Sequence, residues 1–87
     1  MIKRKELYSE DNSCKVFLVE SDESLPEHEH NTKEIMFILE GEGTLEIINT
    51  GERRNFREGS VLEIKANTKH KLEINSKVKG IVIYAKV

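Results

Sequence analysis

The sequence predicts an all-β sandwich or barrel, and two observations predict it. Apolar runs are short and are separated by turn signals at close, regular intervals. No window of helical length carries a clean apolar stripe, so no helix of consequence is placed. At 87 residues the chain has room for one small domain, residues 1–87, and for no second core.

Strands are expected over 3–8, 14–20, 25–30, 34–40, 43–49, 53–56, 60–64, 70–75 and 78–86. Between the fourth and fifth, Gly41 and Gly43 flank Glu42 and permit a tight reversal, since glycine takes positive φ without steric penalty. Asn49-Thr50-Gly51 and Glu58-Gly59-Ser60 supply two further turns. Two strands, "EIMFILE" and "IVIYAKV", are apolar at both parities. In the first, Met36 and Ile38 share the face of Glu34, while Ile35, Phe37 and Leu39 point the other way. A half-buried strand alternates, so something covers the second face. A domain this small buries only about 60–65% of its unfolded surface, and a second subunit is the favoured cover, making a homodimer. The alternative is an intramolecular layer from the N-terminal segment IKRKELY.

Charge narrows the classes of function. Fourteen Lys and Arg against 16 Asp and Glu give a formal net charge of −2 with the signs interspersed. That leaves no basic stripe for nucleic acid and no polybasic patch for a membrane. No apolar run approaches membrane-spanning length, and the start, MIKRKELYSE, lacks a hydrophobic signal segment. Cys14 is the one cysteine, which excludes an internal disulfide and an all-thiolate zinc cluster. A reducing cytoplasm is the expected compartment.

The chemistry lies in the three histidines. On a strand, residues i and i+2 point to one side and lie about 6.5–7 Å apart at the backbone. His28 and His30 would therefore present two imidazoles in parallel, able to converge on one ion at bonds of about 2.0–2.1 Å. After the polar turn Asn31-Thr32-Lys33, the chain can fold back so that Glu34 joins them. Two histidines and a carboxylate form a facial set that leaves coordination positions open. In "HKLEIN", His70 shares its face with Leu72 and Ile74, so its imidazole points inward. A third ring nitrogen for the same ion is one way to satisfy it there. Taken singly, an HxH on a surface strand reads as solvated surface, and His70 as a satisfied core histidine. The turn before His70 contains Asn67, the residue after glycine most willing to take a left-handed conformation.

These residues carry a family resemblance. "HEHNTKEIMFILEG" resembles the first cupin motif, HxH, three residues, Glu, six residues, Gly, with His28, His30, Glu34 and Gly41 in register. "GSVLEIKANTKH" resembles the second, with Gly59 and His70 at the right spacing. The first motif's opening glycine is Asp22 here, and the Pro and Gly of the second are Lys65 and Asn67. None of these departures touches a ligand position. The resemblance implies a double-stranded β-helix (jelly-roll) barrel that binds one divalent transition metal through His28, His30, Glu34 and His70. Iron, manganese, nickel, copper and zinc all suit three imidazoles and a carboxylate.

The resemblance implies several functions, because cupins include dioxygenases, isomerases, decarboxylases and non-catalytic modules, and fold alone does not choose among them. The favoured expectation is a metal-dependent enzyme, an oxidoreductase of dioxygenase type or an isomerase, acting on a small oxygenated metabolite. The alternative is a binding or sensing module that holds a ligand without turning it over, and a weaker one is a metal buffer. Tyr84 and Cys14 are candidate acid–base residues. Their ordinary readings, a core or interface aromatic and a small buried hydrophobe, are preferred. Met36 and Ile38 are expected to line the pocket.

Overall fold

Alternation along each strand sorts the chain into two sheets. The computed structural model describes residues 1–11 and 13–86. Its strands are β1 (Ile2–Glu10), β2 (Cys14–Ser21), β3 (Leu25–His28), β4 (Lys33–Glu40), β5 (Gly43–Ile47), β6 (Glu52–Phe56), β7 (Val61–Ile64), β8 (His70–Ile74) and β9 (Val78–Ala85). All nine expected strands are present, and among the described residues there is no helix. No helix is therefore long and apolar enough to cross a membrane. One sheet runs β1-β2-β9-β4-β7 and the other β3-β8-β5-β6, with every pairing antiparallel.

Register fixes what faces inward. Across the first sheet, Met36 pairs with Val82 and Leu62, and Glu34 with Tyr84 and Ile64. Across the second, Leu45 pairs with Leu72, and Ile47 with His70. Met36, Ile38, Leu62, Ile64 and Val82 from one sheet and Leu45, Ile47, Phe56 and Leu72 from the other form one buried core. Its area removed from water supplies the main driving force for so short a chain, at roughly 25 cal/mol per Å².

The two outer faces differ in kind. On the second sheet, Glu46, Arg53, Lys71 and Glu73 form an ion-pair lattice, with Lys71 3.8 Å from Glu46 and 3.6 Å from Glu73. On the first, Phe37 pairs with Ile81 and Val61, and Ile81 with Leu18, giving an apolar row across four strands. Phe37 is 40%, Leu39 44% and Val61 58% exposed. The N-terminal segment does not cover this face. It is β1, the edge strand of the same sheet, exposed along its length.

One turn differs from expectation in its cause. Gly41 has the positive φ, 94°, expected at the reversal before β5, but Gly43 does not share it. Gly43 is required by close approach: a Cβ there would sit 2.3 Å from the Glu73 carbonyl oxygen and 2.7 Å from the Phe56 ring.

Candidate metal centre

The histidines meet at one end of the barrel. Pairing of β3 with β8 sets His28 opposite His70, with ring centroids 4.2 Å apart. β3 ends at His28, so His30 lies past the strand rather than within an extended 25–30 segment. Its position is held instead by its backbone: the Asn67 amide donates a 2.7 Å hydrogen bond to the His30 carbonyl. Asn67 does take the left-handed conformation, φ 58°, which asparagine tolerates better than most residues. That bond ties the loop carrying His30 to the turn leading into His70. One ring nitrogen from each of His28, His30 and His70 then lies within 4.8 Å of the others.

Hydrogen bonds aim two of the rings. His28 Nδ1 donates to the Pro26 carbonyl at 2.7 Å, and His70 Nδ1 donates to the Thr68 carbonyl at 2.8 Å. A carbonyl only accepts, so Nδ1 carries the proton and Nε2 keeps its lone pair, as in metal-ligating histidines. Burial lowers the pKa of His30, with the neighbouring His28 and His70 adding to it, and burial lowers that of His70 as well. Both are neutral, lone-pair donors at pH 7.

Glu34, on the inner face of β4, lies next to His30 but outside the mutually close set of three histidine nitrogens. It is 4% exposed, with Oε1 3.5 Å from His30 Nε2. Burial pushes its carboxyl up to about 7, against a partial offset from the Arg4 charge. Glu34 Oε1 and His70 Nε2 are buried without a hydrogen-bond partner. Leaving such atoms unsatisfied costs about 1–3 kcal/mol each. His70 Nε2 is an acceptor, as is Glu34 Oε1 when the carboxyl is ionised, and a divalent cation would satisfy both. The residues present fit a divalent metal.

A cavity of about 340 Å³ opens from this end, with His28, His30 and Glu34 in its wall. Met36 and Ile38 line it as expected, and Phe56, Leu72 and Val82 extend the apolar wall. Tyr84 is turned inward, paired with Glu34 in register, its ring centroid 5.2 Å from that of His30. It packs against the core, in keeping with its reading as an ordinary aromatic, and also stands in the cavity wall. Cys14 is half-buried at the start of β2, lining an adjoining cleft and not the cavity itself.

Sequence reasoning missed Arg4. From β1 it reaches the cavity wall, its guanidinium 4.4 Å from the Phe17 ring centroid and 5.9 Å from that of Tyr84. Only the pairing register, which puts Arg4 opposite the inward-facing Val19, discloses its side. The run IKRKELY mixes apolar and charged residues at both parities, Ile2 and Tyr8 with Arg4 and Leu7 with Lys3 and Lys5, and gave no such signal.

The comparisons agree with this geometry. A comparison with curated proteins gives no match. Among solved structures, a cupin superfamily protein from Desulfitobacterium hafniense matches with a TM-score of 0.88 at 19% identity, covering 100% of this chain and 79% of its own. An RmlC-like cupin with a double-stranded β-helix fold from Methanocaldococcus jannaschii matches at 0.83 and 23% identity, covering 99% of this chain and 81% of that one. A protein from Ralstonia eutropha, named as a proposed mannose-6-phosphate isomerase, matches at 0.87 and 15%, covering 100% and 86%. These likenesses establish the double-stranded β-helix fold. The cupin domain family itself matches residues 15–84, a stretch that contains both histidine segments and the core strands between them. The chain is a small single-domain member of the cupin family.

Proposed function

We propose that the protein binds one divalent transition metal and is a metal-dependent enzyme acting on a small oxygenated metabolite. The observation that carries the metal is the pair of buried atoms without hydrogen-bond partners, Glu34 Oε1, 3.5 Å from His30 Nε2, and His70 Nε2, grouped with ring nitrogens of His28 and His30. The ligands would be the Nε2 atoms of His28 and His70, a ring nitrogen of His30 and a carboxylate oxygen of Glu34. A bound ion supplies Lewis-acid polarisation of substrate oxygens or, if it is iron, oxygen activation, the isomerase and dioxygenase branches of the reading.

The chain's own residues do the rest. The Pro26 and Thr68 carbonyls hold two ligand rings in one tautomer. The apolar wall keeps water from the substrate's carbon skeleton. Tyr84, its pKa raised first by burial and then by Glu34, keeps its hydroxyl protonated and available to a substrate oxygen. Turnover of a panel of diketones, enediols and phenolic diols by the metal-loaded protein under air tests the enzyme. Stoichiometric metal without turnover would favour a binding or sensing module. That second reading draws support from the cavity wall, whose proton-bearing side chains near the histidines come down to Glu34 and Tyr84.

A second copy of the chain is the partner that best fits the apolar outer face of the first sheet. The contrast with the ion-paired face of the second sheet supports this, as does the placement of β1, which leaves Phe37, Leu39 and Val61 without intramolecular cover. A face-to-face pairing of this sheet with its twin would be isologous.

A further inference from the structure

The cavity has a charged mouth. A cleft of about 600 Å³ shares Arg4, His30 and Tyr84 with the cavity wall and adds Lys15 and Lys86. No Asp or Glu lines it. Lys15 is the cross-strand partner of Tyr84, and Lys86 follows β9 two residues beyond it. Lys33, Lys69, Lys71 and Lys77 each lie within 4.0 Å of a carboxylate. Among the described residues none comes that close to Arg4, Lys15 or Lys86, nor to Lys3, Lys5, Arg57, Lys65 or Lys79, so what sets the three apart is the shared cleft. Glu34, whose carboxyl feels the Arg4 charge, lines the adjoining cavity and not the cleft, and Glu6, next along the inner face of β1, lies outside the lining. Three cations thus converge on one cleft in a chain whose net charge is −2. Clefts of a single sign concentrate ligands of the opposite sign.

Arg4 is held for this work. Its guanidinium carbon lies over the Phe17 ring, 4.4 Å from the centroid, a cation–π contact that leaves its N–H donors available to an oxyanion. Tyr84 bridges the two regions, 5.2 Å from the His30 ring and 5.9 Å from the Arg4 guanidinium carbon.

We infer that the ligand of this site is a small organic anion, whose carboxylate or phosphate group is received by Arg4, Lys15 and Lys86 while its remaining oxygens face the histidine cluster. The inner end of this arrangement rests on the proposed metal site; the outer end does not.

The test is calorimetric titration of zinc-loaded protein with 2-phosphoglycolate, glycolate and neutral ethylene glycol, with metal content measured on every sample. At least one anion is expected to bind about tenfold or more tightly than the diol, less so at high salt. Whichever anion is preferred names the group. Arg4→Gln and the Lys15→Gln/Lys86→Gln double variant are each expected to lose about tenfold in anion affinity with metal content unchanged. A parallel titration of metal-free protein with inorganic phosphate, followed by chemical-shift changes, separates the two proposals. Phosphate binding that Arg4→Gln abolishes supports the anion site even if no metal is taken up. Anion affinity no greater than that of the diol, or unchanged in both variants, overturns it.

Discussion

His28 and His70 face one another across β3 and β8, 4.2 Å apart at their ring centroids, although four strands separate them in the chain. Each is anchored through Nδ1 to the carbonyl two residues before it, Pro26 or Thr68. The same local device, used twice on antiparallel neighbours, points two lone pairs into one space.

His70→Ala therefore removes a proposed ligand whose ring is already aimed by the Thr68 carbonyl. Elemental analysis of untagged protein is expected to find near-stoichiometric metal in the parent and little in the variant. A parent that neither retains metal nor takes it up on reconstitution would end the metal reading.

Glu34→Gln is expected to act in opposite directions with and without metal. In the metal-free protein the folded-state carboxyl titrates at about 7 against a usual 4.5. Between those values the folded state holds a proton that the unfolded chain has released, so stability falls as pH rises through this window. The variant removes that loss. In chelator, urea unfolding should show the difference between variant and parent growing in the variant's favour from pH 4.5 to pH 8, by up to about 3 kcal/mol. Metal affinity should drop in the same variant. A stability difference independent of pH would show that Glu34 is not a buried charge.

Acid should expel the ion. His30 and His70 have lowered pKa values, so in the metal-free fold they stay neutral below 6.5, where the unfolded chain takes up protons. Their contribution to stability is present above 6.5 and is lost as pH falls towards the folded values. Bound metal holds them neutral further still, so dialysis across a pH series should show release beginning below about 6.5. Full retention at about pH 3 would count against a three-histidine site.

Phe37→Glu places a charge in the middle of the apolar row formed with Ile81 and Val61. Sedimentation velocity is expected to show a dimer for the parent and a monomer for the variant, with metal content unchanged. A parent that sediments as a monomer at high concentration would remove the second copy as the occupant of this face.

Gly43→Ala tests the fold alone. The added Cβ meets a backbone carbonyl at 2.3 Å, which cannot swing aside as a side chain end would. A loss of about 2 kcal/mol or more in urea unfolding is expected, against near neutrality at Gly59→Ala's open site only if its φ of 87° relaxes.

Strand count and the inward set were legible because parity is a local property: Met36, Ile38 and Leu72 declare their side by alternation with their neighbours. The His28, His30, Glu34 and His70 segments were legible because their spacing fits a familiar motif. What the sequence withheld depends on which strands become neighbours. Arg4 sits in a run that mixes apolar and charged residues on both faces, and its inward side follows only from pairing with β2. Tyr84 faces Glu34 only because β9 inserts between β2 and β4. The bond from Asn67 to His30 joins two loops that no local pattern connects. The end of β3 at His28 shows the same limit, since alternation favours extending it to His30.

The pairing of β2 with β9 and of β3 with β8 also sets the order of events in time. His28, His30 and Glu34 lie close together in sequence, but His70 joins them only after β3 has paired with β8, so a local nucleus could not supply all four proposed donors. Topologies dominated by such non-local pairing fold in about milliseconds to seconds. Capture of the proposed ion by all four donors would therefore be a late step, and its rate would report the completed barrel.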